Sequence, residues 1–171
     1  YKHIFSNNSN VLVKDFNGIL VAVQDCARIG NNIYINTING NIYRYNLLTD
    51  VTTLFGAYTY STCLASKTSN ILIHAGVNGL FEINIATGIQ TYIRNLPLHV
   101  KSIQGDILYI PSSDSVLFTY THTDLSAKVM NLKYDGTIIN DITLPTTSYW
   151  AMFLYLSDYY VVNKNAKPYK V

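Results

Sequence analysis

The chain has 171 residues, enough for one domain, and 49% of them are hydrophobic, enough for a real core, which excludes a disordered chain. Only 13% are charged and the net charge is +2, with no basic stripe, so nucleic acid is excluded as a partner. The longest apolar runs, residues 19–23 and 150–156, are too short for a membrane-spanning helix. Tyrosine occurs 15 times, and Asn, Thr and Ser supply most of the polar residues, while Glu82 is the only glutamate. Strands favour aromatic and β-branched residues, so this bias points to an all-β chain. Amides and hydroxyls do not titrate, and a surface built from them suits an extracellular or virion-surface setting.

The chain opens on Tyr1, which reads as the trace of a removed leader or of a longer polypeptide, and Asn7-Asn8-Ser9 is a glycosylation sequon. Residues 11–16 and 19–23 flank Asn17-Gly18, a strong hairpin signal. A first four-stranded unit follows over 25–58. Its strands are expected near 26–29, 32–36, 41–46 and 51–55, with turns at Asn39-Gly40 and Thr49-Asp50. A second unit spans 62–95, with strands near 64–67, 70–74, 79–84 and 89–93 and turns at Asn78-Gly79 and Thr87-Gly88. A third, enlarged unit spans 98–144. Residues 100–103 are read as its first strand, 106–110 as its second and 115–118 as its third, with an outer hairpin around Asp135-Gly136. After Pro145, residues 149–155 read as an inner strand and 159–162 as the next. Residues 149–171 with the N-terminal hairpin would then form a fourth unit and close a ring, removing exposed edges.

The units are copies of one another. Asn32-Ile33-Tyr34-Ile35-Asn36 aligns with Asn70-Ile71-Leu72-Ile73-His74, and Asn41-Ile42-Tyr43-Arg44-Tyr45-Asn46 with Gly79-Leu80-Phe81-Glu82-Ile83-Asn84, without a gap. Asp106-Ile107-Leu108-Tyr109-Ile110 supplies the third match. A period near 38 residues with four strands per copy is close to the blade of a β-propeller, and the expectation is an all-β, propeller-like array of about four blades. The competing architecture is a β-sandwich or barrel with regularly spaced hairpins. A ring completed by the rest of a longer chain, or by a second copy, is the competing organisation.

The pattern Asn-x-Ile-Tyr-Ile, then Asn-Gly-x-Ile-Tyr-x-Tyr-Asn-x-x-Thr, resembles the generic repeat of NHL-, YWTD- and PQQ-type β-propellers over residues 25–129. The Tyr-Trp-Thr-Asp tetrad, the Trp-Asp dipeptide of WD40 repeats and the double glycine of kelch repeats are absent. The resemblance therefore implies a fold and no functional residues.

Chemistry-bearing motifs are sparse. No nucleophile elbow, phosphate loop, dinucleotide fingerprint or calcium loop occurs, and no cofactor is expected. Cys26 and Cys63 fall one residue apart in equivalent first strands, which turns them to opposite faces and disfavours a Cys26–Cys63 disulfide. Of the four histidines, His122 lies near enough to Asp124 to share a face, but two polar side chains facing solvent explain the pair better than a metal does. Asp25 and Asp106 are a carboxylate pair whose proximity sequence does not reveal. The binding candidates are aromatic. Tyr58, Tyr60, Tyr149 and Trp150 lie in connections leading into first strands, where one rim of a propeller is built. These features together suggest a non-catalytic module that engages protein or glycan through its loops. The alternative is a propeller hydrolase or lactonase with a metal in its central channel.

Overall fold

The strands are short runs of Ile, Leu, Val and Tyr interrupted by polar residues, and most of the turns between them carry Asn, Asp or Gly, so antiparallel hairpins form locally along the chain. The computed structural model describes residues 2–4, 9–11, 22–58, 62–76, 78–145, 149–155, 157–163 and 168–171, with backbone alone at 2–4, 9–11, 104, 149–150 and 163. A small hairpin comes first, β1 (Lys2–Ile4) with β2 (Ser9–Val11). Blade 1 is β3 (Val23–Ile29), β4 (Asn32–Thr37), β5 (Asn41–Asn46) and β6 (Val51–Ala57). Blade 2 is β7 (Cys63–Ser66), β8 (Ile71–Gly76), β9 (Gly79–Asn84) and β10 (Gln90–Arg94). Blade 3 is β11 (Val100–Ile110), β12 (Ser115–His122), β13 (Ala127–Lys133) and β14 (Ile138–Thr143). Blade 4 has three strands, β15 (Tyr149–Tyr155), β16 (Asp158–Asn163) and β17 (Pro168–Lys170). The four sheets stand in a ring as a four-bladed β-propeller. Their first strands are innermost, β7 touching both β3 and β11, and β11 touching β15.

The third unit departs from the repeat alignment. Residues 100–103 and 106–110 are one strand rather than two. β11 runs the full length of β12 with its register broken between Ile103 and Ile107. Gly105, at φ +87, sits in that break, so a glycine that reads as a turn is a bulge in a continuous inner strand. The real turn is the short 3-10 segment Pro111–Ser113, closed by Asp114 at φ +44. The Asp106–Ile110 motif therefore occupies the first strand of its blade, whereas its counterparts at Asn32 and Asn70 occupy second strands.

A blade has two faces, and blades 2 and 3 bury both of theirs against their neighbours. Ala27, Ile29, Tyr34 and Ile42 of blade 1 meet Leu64, Leu72 and Ile83 of blade 2. On the other face of blade 2, Ala65, Ile73 and Leu80 meet Ile107, Val116, Phe118 and Met130 of blade 3. Blade 3 then turns Ile110, Leu117 and Val129 against Met152 and Val161 of blade 4. Opposite Met152, the same strand presents Phe153 and Tyr155, both exposed, with Phe153 stacked on Tyr160 at 5.5 Å. Among the described residues β1 pairs with β2 and β17 with β16, without a ladder between the two hairpins. The expected Asn17-Gly18 hairpin lies outside the described residues, as do Asn7 of the sequon and Tyr60.

Two glycines separate conformational need from steric need. At Gly79, φ is +130 and an added Cβ would strike the backbone carbonyl of Arg94 on the neighbouring strand. At Gly30, φ is +57 and the same atom would meet open space. Urea denaturation should show Gly79→Ala losing about 2 kcal/mol or more, because β10 must move, and Gly30→Ala losing only about 1 kcal/mol. Equal losses would mean that the Arg94 contact does not constrain the hairpin.

Candidate functional site: channel carboxylates and the connection rim

The innermost strands carry the most perturbed acids. Asp25, on β3, accepts the Cys26 N–H through Oδ1 at 2.7 Å and the Leu64 N–H of blade 2 through Oδ2 at 2.7 Å. Asp106, on β11, repeats the arrangement with the Ile107 N–H at 2.8 Å and the Met152 N–H of blade 4 at 3.2 Å. Each carboxylate thus crosses a seam and binds the inner strand of the next blade. Burial, then the nearby charge of Asp106, push the Asp25 carboxyl up to about 7 against the pull of its two N–H donors. Burial likewise raises Asp106, opposed by its donors. Asp25 thus lies close enough to Asp106 to feel its charge, a proximity the sequence left open. In blade 2 the corresponding inner-strand residue is Cys63. It is fully buried, with its Sγ 3.7 Å from the Ala75 carbonyl, and has no charge with which to bridge a seam. Cys26 is exposed, and both thiols are free.

Strand order divides the loops between two rims. First-to-second and third-to-fourth turns open on one rim. Second-to-third turns and blade-to-blade connections open on the other, the connection rim. Tyr58 belongs to that rim by position, but its side chain is buried in the seam between blades 1 and 2. Its hydroxyl donates to the Gly88 carbonyl at 3.0 Å and its ring packs between Phe55 and His74. Tyr149 and Trp150 open β15 as backbone. What the rim does expose is aliphatic: Ile38 in the β4–β5 turn at 63%, Leu98 in the connection to blade 3 at 101%, and Leu125 in the β12–β13 turn at 61%. None of the three stood out in the sequence, although Ile38 and Leu125 are each a lone aliphatic residue in a polar turn and Leu98 follows Pro97 in a short connection.

Leu125 has φ +70, a conformation that a branched side chain rarely adopts. Its turn is held from several sides. The Leu125 N–H donates to the His122 carbonyl at 2.9 Å, the Asp124 N–H to His122 Nδ1 at 3.1 Å, and the Ser126 N–H to Asp124 Oδ1 at 2.8 Å. These bonds to Ser126 and the neighbouring His122 draw the Asp124 carboxyl down to about 2. The Thr123 N–H reaches the His99 carbonyl at 3.0 Å, joining this turn to the loop that carries Leu98. The His99 and His122 rings lie 5.2 Å apart, and Asp141 accepts the Tyr120 hydroxyl at 2.7 Å beneath them. His122 and Asp124 do share a face, as a turn clasp. Among the described residues no group of three or more His, Cys, Asp or Glu side chains is placed to hold a metal ion.

His74 was also missed. It stands fully buried on β8, stacked on Phe81 at 4.9 Å, where the alternation of Leu72 and His74 marks an inward position. Its Nδ1 has no partner, and burial pushes the imidazole down to about 4.

No family model matches the chain, and no curated protein matches its sequence. Solved structures do match. The computationally designed Ika4 protein aligns over 95% of this chain and 98% of its own, with a TM-score of 0.61 and 16% identity. Regucalcin, a calcium-binding protein of Agrobacterium tumefaciens, aligns over 85% of this chain with a TM-score of 0.67 and 14% identity. The WD40 β-propeller domain of Doa1 aligns over 84% with a TM-score of 0.63 and 18% identity. The chain spans about half of each of these two, 52% and 48%. At such identities the likeness shows the propeller fold alone.

Asp25 and His74 pull the stability of the fold in opposite directions with pH. Folded Asp25 keeps its proton up to about 7 while the unfolded carboxyl releases it near 3.8, so stability falls as pH rises through that window. Folded His74 refuses a proton until about 4 while the unfolded imidazole accepts one near 6.5, so stability falls as pH drops between those values. The two offset each other in the wild type. Urea midpoints taken every half pH unit should show Asp25→Asn weakening on acidification from 6.5 to 4, and His74→Phe weakening as pH rises from 4 to 7. Profiles parallel to the wild type in both variants would contradict these environments.

Proposed function

We propose that this propeller is a non-catalytic binding module in an extracellular or virion-surface setting, and that its contact surface is the connection rim. The observation that carries the reading is the trio Ile38, Leu98 and Leu125. Three aliphatic side chains stand exposed on one rim, two of them on loops stapled to each other. Exposed apolar residues held on a rigid frame can serve as contact sites, and strain held in place by surrounding bonds, as at Leu125, is characteristic of functional positions. Aliphatic tips favour a protein partner. Tyr149 and Trp150 open β15 on the same rim and would add the aromatic anchors common at interfaces. The low charge and the Asn-, Thr- and Ser-rich composition support the proposed setting.

A second reading, hydrolysis at a channel metal, draws support from the meeting of Asp25 and Asp106. Against it, all four of their oxygens already accept backbone N–H groups. Elemental analysis finding one tightly held divalent ion per chain, lost in Asp106→Asn, would favour this second reading over the first.

The rim is tested by panning a displayed random-peptide library on the immobilised protein, because such libraries concentrate on contact hot spots. Selected peptides should bind the wild type and a Leu48→Ser control on the opposite rim, and lose at least tenfold on Leu98→Ser/Leu125→Gly. Undiminished binding to the double variant would overturn the proposal. Leu125→Gly alone should raise stability by about 0.5–1 kcal/mol in urea denaturation while weakening peptide binding, the signature of a strained residue kept for contact.

A further inference from the structure

A separate site lies on the opposite rim of blade 1. Antiparallel partners point to the same face, and here the pairs Asn32 with Asn46, Tyr34 with Arg44, Arg44 with Thr53 and Asn46 with Val51 build one surface. Outside the buried Tyr34 that surface is concave. It encloses about 250 Å³ between Asn32, Arg44, Asn46, Thr49, Val51 and Thr53.

The lining is rich in donors and lacks acids. Arg44 is exposed and has no hydrogen bond or ion pair to another described residue. The Asn46 side chain is committed to the scaffold, its Oδ1 accepting the Leu48 and Thr49 N–H groups at 3.0 Å each. Its Nδ2 donates to Asn32 Oδ1 at 3.0 Å, which leaves both amide protons of Asn32 available as donors. The nearest carboxylate in sequence, Asp50, is engaged on the other face, where its Oδ1 accepts the Tyr45 hydroxyl at 2.9 Å. A guanidinium is a planar fork that matches a carboxylate in two parallel hydrogen bonds. The amide of Asn32 and the hydroxyls of Thr49 and Thr53 suit the hydroxyls of a polyol, and Val51 offers a small apolar wall to its C–H face. The volume lies below the range of about 300–1,000 Å³ typical of drug-sized ligands and suits one sugar ring.

We propose that this hollow binds a carboxylate-bearing saccharide, a uronic-acid-type sugar, with Arg44 holding the carboxylate and Asn32, Thr49 and Thr53 reading the ring hydroxyls. The site goes beyond the rim contact proposed above. It stands on the opposite rim and uses none of the same residues, so either proposal can fail alone.

The test is a titration of the ¹⁵N-labelled protein with sodium glucuronate, followed by NMR at the Arg44 Nε and the Asn32 and Asn46 side-chain amides. Glucose supplies the ring without the charge, sodium acetate the charge without the ring, and inorganic sulfate a non-planar anion. Saturable shifts with a millimolar dissociation constant are expected for glucuronate, with binding at least tenfold weaker for each of the other three. Arg44→Gln should abolish the shifts, and Arg44→Lys, which keeps the charge and loses the fork, should weaken binding at least tenfold. Thr53→Val, on the exposed outer strand, should weaken glucuronate while leaving the weak acetate response unchanged. No saturable shift up to 50-fold above the millimolar range, or equal responses to acetate and glucuronate, would overturn the proposal. So would Arg44→Gln binding like the wild type.

Discussion

A four-stranded blade has two apolar faces, and water must be kept from both. That constraint makes a ring of sheets out of a run of hairpins. Within each blade, alternation sends Leu64 and Leu72 one way and Ala65 and Ile73 the other, so the same short strands serve two seams. Every blade is then a partner for the next, and the array is as rigid as its seams. At the innermost strands, where side chains crowd, apolar packing is supplemented by charge. Asp25 and Asp106 reach across two of the seams and bind the neighbouring backbone. The cost is desolvation of both carboxylates, which raises the protonation range of each, and the charge of Asp106 raises Asp25 further.

The buried inner strands and the exposed rims carry different chemistry. The carboxylates have their oxygens occupied, His74 is sealed between rings, and Tyr58 fills a seam. The surfaces that do face solvent differ in character. The connection rim presents aliphatic tips on braced turns, and the outer part of blade 1 presents a guanidinium that no other described residue pairs, set among amides and hydroxyls. A rigid scaffold with two chemically distinct exposed faces is suited to engaging two kinds of ligand at once.

Much of the fold was legible in the residues because turn chemistry and alternation act locally. Asn39-Gly40, Thr87-Gly88 and Asp135-Gly136 all mark real turns, with positive φ at each glycine, and the blades at 25–58, 62–95 and 98–144 match the observed sheets. The inner strand of blade 3 was misread because glycine permits a bulge as readily as a turn. Only pairing with β12, a tertiary event, decides between them at Gly105. The site was harder to read. Tyr58 sits on the expected rim, but whether a tyrosine points inward depends on a neighbouring blade that its own segment does not encode. The pairing of Asp25 with Asp106 joins residues far apart in the chain, and no spacing rule reports it. Leu98 and Leu125 look like ordinary loop residues until the hydrogen bond between their loops is seen.

The central claim is that the inner ring is held by carboxylates accepting backbone N–H groups across the seams. Native-state hydrogen exchange at the Leu64 and Met152 amides tests it most directly. The account predicts that both exchange only through global unfolding, and that Asp25→Asn gives the Leu64 amide a faster, local route while leaving Met152 protected. Exchange of either amide in the wild type as fast as that of an exposed rim residue such as Leu98 would contradict it.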